Sequence, residues 1–356
     1  MSTRRRARFI WAAMLLAAAS ATAPAATFPD LYTITVMVPP NTPNRQREVD
    51  RLGLTQLLTR ITGRRDAANA PELAPLIESA STLVTSRSRI DRERDSVGFN
   101  AAAIADALTR ANWPIWGAER PLTLLWMAVD FGDGQRALMG ATPATDEWSP
   151  ELALLMMQLR EELEAVASER GLPLTYPLLD LEDRNAIGFA EVWGGFDGLI
   201  SAASERYNAD GVLVGRVAVA AFGLDVRWSF LDDTRASAVL GSDVRGGVDW
   251  LADRYAAEYS TIGGARIARI TVLDVASLDA YGRVISYLES QSVLQSVDVE
   301  GFDGTTLRLQ VAVRGDDRVV ERVLTLGGVL VPASSIPAPE AGASLVFRVA
   351  GAPGAQ

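Results

Sequence analysis

The densest polar cluster of the chain is "LLDLEDR" at positions 178–184, where Asp180, Glu182 and Asp183 crowd together and Arg184 follows directly. Two kinds of chemistry suit such a group. A pair of carboxylates can flank a glycosidic bond as acid and base, and carboxylate oxygens can ligate a hard cation. The cluster sits at the end of an apolar run expected as a strand, and open α/β sheets bind ligands beyond the carboxyl ends of their strands. Its spacing matches no calcium-loop pattern. The preferred expectation is structural: the acids cap the next helical turn and pair with Arg184.

A second group lies shortly after, in "AEVWGGFDGLI" at 190–200. Trp193 and Phe196 flank Gly194 and Gly195, which frees the backbone to turn between two large rings. Glu191 stands three residues after Gly188, as in a capping box whose first residue has no side chain, so Phe189–Trp193 reads as one helical turn. Gly194 is expected to end that turn in a left-handed conformation, and Gly195 to let the chain restart as a helix. On this reading the rings are core wedges between two short helices; the alternative is a gripping surface for a partner. A third stretch, "SRSRIDRERDS" at 86–96, offers Arg87, Arg89, Arg92 and Arg94 to an acidic partner or a phosphate. Asp91, Glu93 and Asp95 interleave with them, so a self-neutralised edge strand is the expectation.

The residue types that are absent narrow the chemistry. The chain has no cysteine, no histidine and no lysine. It therefore lacks a thiolate nucleophile, an imidazole base, a Schiff-base amine and the common zinc ligands. No dinucleotide or phosphate loop follows a strand, and no serine elbow is present. Neither a cofactor nor a metal is expected.

The first residues read as an export signal. Arg4, Arg5, Arg6 and Arg8 precede an apolar run from Phe9 to about Ala19, and Ala23 and Ala25 give an A-x-A site for cleavage after Ala25, or after Ala26. Loss of those four arginines, with no acid lost, takes the formal charge from −10 to −14. Such a chain is repelled by nucleic acid. Without cysteine there is no lipid attachment and no disulfide, so the mature chain is expected to be soluble and held together by core burial alone. No later run reaches membrane-spanning length, which predicts a periplasmic location in a diderm bacterium.

These groups need elements to position them. With 356 residues, two or three small domains are expected. In residues 27–142, "LYTITVMV" reads as a strand, followed by a helix closed by Gly63, a helix capped by Asn100, and a buried strand turning at Asp133-Gly134. The polar linker from Thr142 to Pro150 is the expected boundary. In residues 150–262 a long helix with Leu152, Leu155, Met156, Leu159, Leu163 and Val166 inward ends at Gly171. A strand Leu174–Leu181, a helix Phe196–Tyr207, a meander turning at Asp232-Asp233 and a helix from Val248 to Tyr259 complete it. Residues 265–332 read strand, helix, strand, strand, helix, a split β-α-β order of ferredoxin-like type. Residues 333–356 are a Pro/Ala-rich tail, with Ser344–Val349 as a possible edge strand. The fold class is thus α+β or α/β, with mixed sheets flanked by helices.

Taken together, "RITGRRDA", "PIWGAERPLTLLWMAVD" and "PLLDLEDRNAIGFAEVWGGFDGLISAASERYNADGVLVGRV" resemble the bacterial domain-of-unknown-function family 2066, over most of Leu31 to about Tyr259. The central "ASERYNADGVLVGRV" with its meander is similar in pattern to the amino-terminal domain of TolB. The resemblance implies exported proteins without an assigned activity and brings no catalytic residues. The functional expectation is a non-enzymatic envelope protein that binds another envelope protein in assembly or maintenance. A carboxylate-dependent hydrolase of envelope glycans and a small-molecule binding module are the alternatives.

Overall fold

A computed structural model describes residue 28 and residues 30–142, 148–231, 236–239, 243–333 and 345–351. The expected leader, the centre of the Thr142–Pro150 linker, the Asp232-Asp233 turn and most of the Pro/Ala-rich tail lie outside the described residues. Three sheets, two of them mixed, are flanked by helices.

The first sheet is antiparallel, in the order Thr33–Met37, Arg94–Phe99, Val84–Arg89. Ile34, Val36, Val97 and Phe99 alternate onto one face, where Leu54, Leu57, Leu58 and Ile61 of the Arg45–Thr62 helix close over them. Gly63 ends that helix at φ 66°, and Asn100 accepts from the Ala103 amide at 3.1 Å to start the Ala101–Arg110 helix. The arginine-rich stretch forms the hairpin. Its Val84–Arg89 strand is an edge, whereas Arg94–Phe99 is the middle strand, with Asp95 buried and paired to Arg45 at 2.5 Å. Arg87 grips buried Asp50 with two bonds of 2.8 and 2.7 Å.

The central sheet runs Gln135–Leu138, Thr123–Gly132, Gly211–Ala220, Gly223–Leu231, Ala236–Val239, with the short Leu174–Thr175 strand beside Thr123 and Leu124. Thr123–Gly132 pairs parallel with Gly211–Ala220. The sheet boundary therefore falls before Thr123, ahead of the expected 142–150 linker, because this strand is apolar on both faces and needs two covering layers. Leu125, Met127 and Val129 pack under the Pro150–Arg170 and Gly246–Tyr259 helices. Leu124, Trp126 and Ala128 face the short helices between 181 and 204. The strand expected over Leu174–Leu181 is only Leu174–Thr175; Asp180 instead caps a Leu181–Ala186 helix.

The third sheet has the order Leu294–Asp303, Thr306–Arg314, Ala265–Leu273, Leu345–Val349, Leu330–Pro332. Thr306–Arg314 lies antiparallel between Ala265–Leu273 and Leu294–Asp303, which gives the split β-α-β arrangement, with the Leu278–Glu289 and Asp317–Leu326 helices contributing to its core. The strand expected at an edge, Leu345–Val349, is interior: it runs parallel to Ala265–Leu273, and Phe347 is fully buried. Leu330–Pro332 takes the edge, where proline costs no ladder bond. The regions are joined by a two-bond bridge between Ile115 and Thr261 and by Glu119, which accepts from the amide and hydroxyl of Ser292.

Candidate functional site

The three acids of "LLDLEDR" converge on one cation. Asp180 caps the Leu181–Ala186 helix by accepting from the Asp183 amide at 3.0 Å. Arg206, from the far end of the Asp197–Tyr207 segment, donates to both Asp180 oxygens at 2.8 and 2.9 Å and to Asp183 at 3.0 Å, and stands 3.4 Å from Glu182. The pairing expected with Arg184 is corrected: the sequence neighbour lies on the helix that Asp180 caps, while Arg206 reaches the acids from the turn Glu205–Tyr207, beyond the Phe189–Gly194 and Asp197–Ser204 helices. Asp183 is buried, and also accepts from the Leu179 amide at 2.8 Å and from the Tyr207 hydroxyl. Arg206 and the Asp183 amide hold the Asp180 carboxyl well below the usual carboxylate range. Burial and the Asp183 contact push the Tyr207 phenol up to about 12. The three acids share one guanidinium, whereas the acid and base of glycoside hydrolysis flank the bond that they cleave. Among the described residues no group of three or more candidate ligands is placed to hold a metal ion.

The glycine pair differs from expectation by one residue. The helix spans Phe189–Gly194, Gly188 donates its amide to Glu191 at 2.9 Å, and Gly195, not Gly194, takes the left-handed conformation at φ 70°. Gly194 is the last helical residue, so the left-handed stop comes one position later. Trp193 is half-buried and stacks on Phe189, with centroids 5.4 Å apart and planes 18° apart. Phe196 stands 56% exposed. The two rings therefore do not act as a pair of core wedges: only Trp193 packs against the layer under the short helices.

An apolar groove that sequence reading missed runs beside the Pro150–Arg170 helix. Ser149 caps this helix through the Leu152 amide, and Leu152, Met156, Leu159, Leu163 and Val166 face the core. Leu154 and Met157 project elsewhere, at 50% and 61% exposure. With Met139, Trp148, Ala153 and Met156 they line a groove of about 430 Å³. Arg160 lines it too, its guanidinium 4.4 Å from the centre of the Tyr176 ring and donating to the Gly140 carbonyl. The available signal was two large apolar residues off the inward stripe of an amphipathic helix.

Three buried arginines tie the first sheet to the central one. Arg120 is fully buried and donates to the carbonyls of Arg60, Trp116, Gly117, Arg170 and Gly171 at 2.8–3.3 Å, with its guanidinium 3.7 Å from the centre of the Trp116 ring. Three of these acceptors, Arg60, Arg170 and Gly171, lie at or near the carboxyl ends of two helices, where unsatisfied carbonyls concentrate negative charge. Burial pushes the Arg120 guanidinium well below its ordinary value. Arg170 bonds to Gly63 and to Asp249 and Asp253, and Arg60 to Thr33 and Ser168.

Comparison with known families matches residues 25–117 to a domain of unknown function (DUF8605). This overturns the resemblance to family 2066: the matching family is a different one, confined to the leader-proximal region and the first sheet. No similarity to TolB is found. No curated protein and no solved structure matches the chain.

Proposed function

We propose that this chain is an exported, non-catalytic envelope protein that binds a partner protein through the apolar groove of the Pro150–Arg170 helix. One observation carries the reading: Leu154 and Met157 stay exposed on a helix whose other large apolar side chains are buried or half-buried, and they line a concave apolar surface. Exposed apolar patches of this kind mark interaction sites, and methionines suit them because the flexible thioether adapts to its partner. Export is supported by the basic, apolar and small-residue order of the first 26 residues. No helix among the described residues is long and apolar enough to cross a membrane. The glycan-hydrolase alternative loses support because Asp180, Glu182 and Asp183 are drawn onto Arg206.

A small apolar ligand is a second reading, favoured by the groove volume of about 430 Å³, which lies in the range of small-molecule sites. The experiment is capture from envelope extract with the mature protein beside a Leu154→Glu/Met157→Glu variant. The proposal expects a discrete partner lost in the variant while the melting temperature holds. Equal capture by both proteins overturns the groove as the binding surface.

A further inference from the structure

The Thr33–Met37 strand is the outer strand of the first sheet, and its hydrogen-bond parity shows which groups face outward. Val38 donates to Glu93, and Tyr32 accepts from Phe99, so the even-numbered residues bond to the inner strand. Thr33, Thr35 and Met37 therefore present their amides and carbonyls to the open side. Thr33 is already satisfied there, donating to Asp30 at 2.8 Å and accepting from Arg60 at 2.9 Å. Thr35 and Met37 have no such partner among the described residues, and both side chains are exposed.

This edge opens onto a cleft of about 760 Å³ that reaches the flanks of the Arg45–Thr62 and Pro150–Arg170 helices. Thr33, Thr35 and Ser96 line one wall, and Ser168 and Glu169 the other. Arg60 lines it as well, 94% buried by its 6% exposure. Among the described residues its guanidinium meets only the Thr33 and Ser168 carbonyls, a long 3.5 Å contact to the Ser168 hydroxyl, and the Phe28 ring at 5.2 Å. No carboxylate bonds to it among the described residues. Of the two acids that line the cleft, Glu169 is engaged by Arg65 and Arg245 at 2.6 Å each, and Asp30 is the other. Burial lowers the Arg60 guanidinium to about 10, the cost of a cation with no counter-charge.

We propose that this cleft binds an extended peptide, which adds as a strand along Thr35 and Met37 and sets a carboxylate against Arg60. Main-chain bonds to an open sheet edge supply the affinity, and the buried guanidinium selects the acidic side chain or terminal carboxylate. This site is separate from the groove at Leu154 and Met157 and stands without it.

The probe is a blocked hexapeptide of alternating threonine and valine with one central glutamate, titrated into the mature protein by amide-resolved NMR. Saturable shifts at the Thr35 and Met37 amides are expected, with binding about tenfold weaker when glutamine replaces glutamate, equivalent to about 1.4 kcal/mol. N-methylation of alternate peptide residues distinguishes strand addition while leaving the protein native: one set should abolish binding and the other should not. Thr35→Pro, which removes only an outward amide, should abolish binding with the fold intact. Equal tolerance of both N-methylated sets, equal affinity of the glutamine peptide, or no shift at millimolar peptide overturns the proposal. The Leu154→Glu/Met157→Glu variant should bind the probe unchanged, which separates failure of this site from failure of the groove.

Discussion

Arg206 holds Asp180 by both carboxylate oxygens, at 2.8 and 2.9 Å, and the same guanidinium also faces Glu182 and Asp183. Asp180→Asn keeps a good helix cap and removes only the charge. Because the folded carboxyl is held below its unfolded value of about 3.9, its stabilisation is present above that pH and is lost as pH falls toward the folded value. Melting curves should place the variant below the wild type at neutral pH and bring the two together as the pH drops below about 4. Asp183→Asn leaves a buried amide among donors and should cost about 3 kcal/mol in denaturant unfolding.

Gly195 and Gly194 should respond differently to alanine. At Gly195 the added Cβ meets positive φ and stands 2.8 Å from the Arg216 guanidinium, so a loss of about 1 kcal/mol or more is expected. At Gly194 the backbone is helical and the near atom belongs to the exposed Phe196 ring, which can swing away. Phe196→Ala should change stability by less than about 0.5 kcal/mol. Denaturant midpoints that rank Gly194 as the more sensitive position would contradict this geometry.

Arg120→Met removes donors from five backbone carbonyls at once. Each carbonyl left dry costs about 1–3 kcal/mol, so the variant should lose the joint between the first and central sheets or fail to fold. Hydrogen exchange should show the loss first at Arg60, Trp116 and Gly171. A variant as stable as the wild type would remove Arg120 from this role.

Alkaline pH should unfold the protein through its tyrosines. Burial pushes Tyr259 and Tyr287 up to about 12 and raises Tyr176 and Tyr255 as well. The unfolded phenol ionises near 10, so this stabilisation is present below about pH 10 and lost as pH rises through the folded values. Phenolate absorbance and circular dichroism should therefore change together above about pH 10. Ionisation of all tyrosines near 10 with the dichroism intact would contradict the burial assigned to them.

Local signals were legible in the sequence. Gly63, Gly171 and Asn100 close or open their helices as their residue types require, and Asp133-Gly134 turns its hairpin with both residues at positive φ. The non-local choices were not. Thr123–Gly132 reads as a buried strand from its own residues, but its parallel partner lies beyond the linker and nothing local names it. Arg184 was the cation adjacent in sequence, whereas Arg206 is adjacent in space. The left-handed stop fell on the second of two identical glycines, a choice that residue type alone does not make. Leu154 and Met157 were obscured because the inward stripe of the same helix already satisfied the apolar pattern.

The most direct test of the binding function is photo-crosslinking in intact cells, with benzoylphenylalanine replacing Leu154 or Met157 and, as a control, exposed Glu72. The groove predicts one discrete, exported adduct partner at positions 154 and 157 and none at 72. Adducts that are absent, or that form equally at all three positions, would contradict a partner seated on this helix.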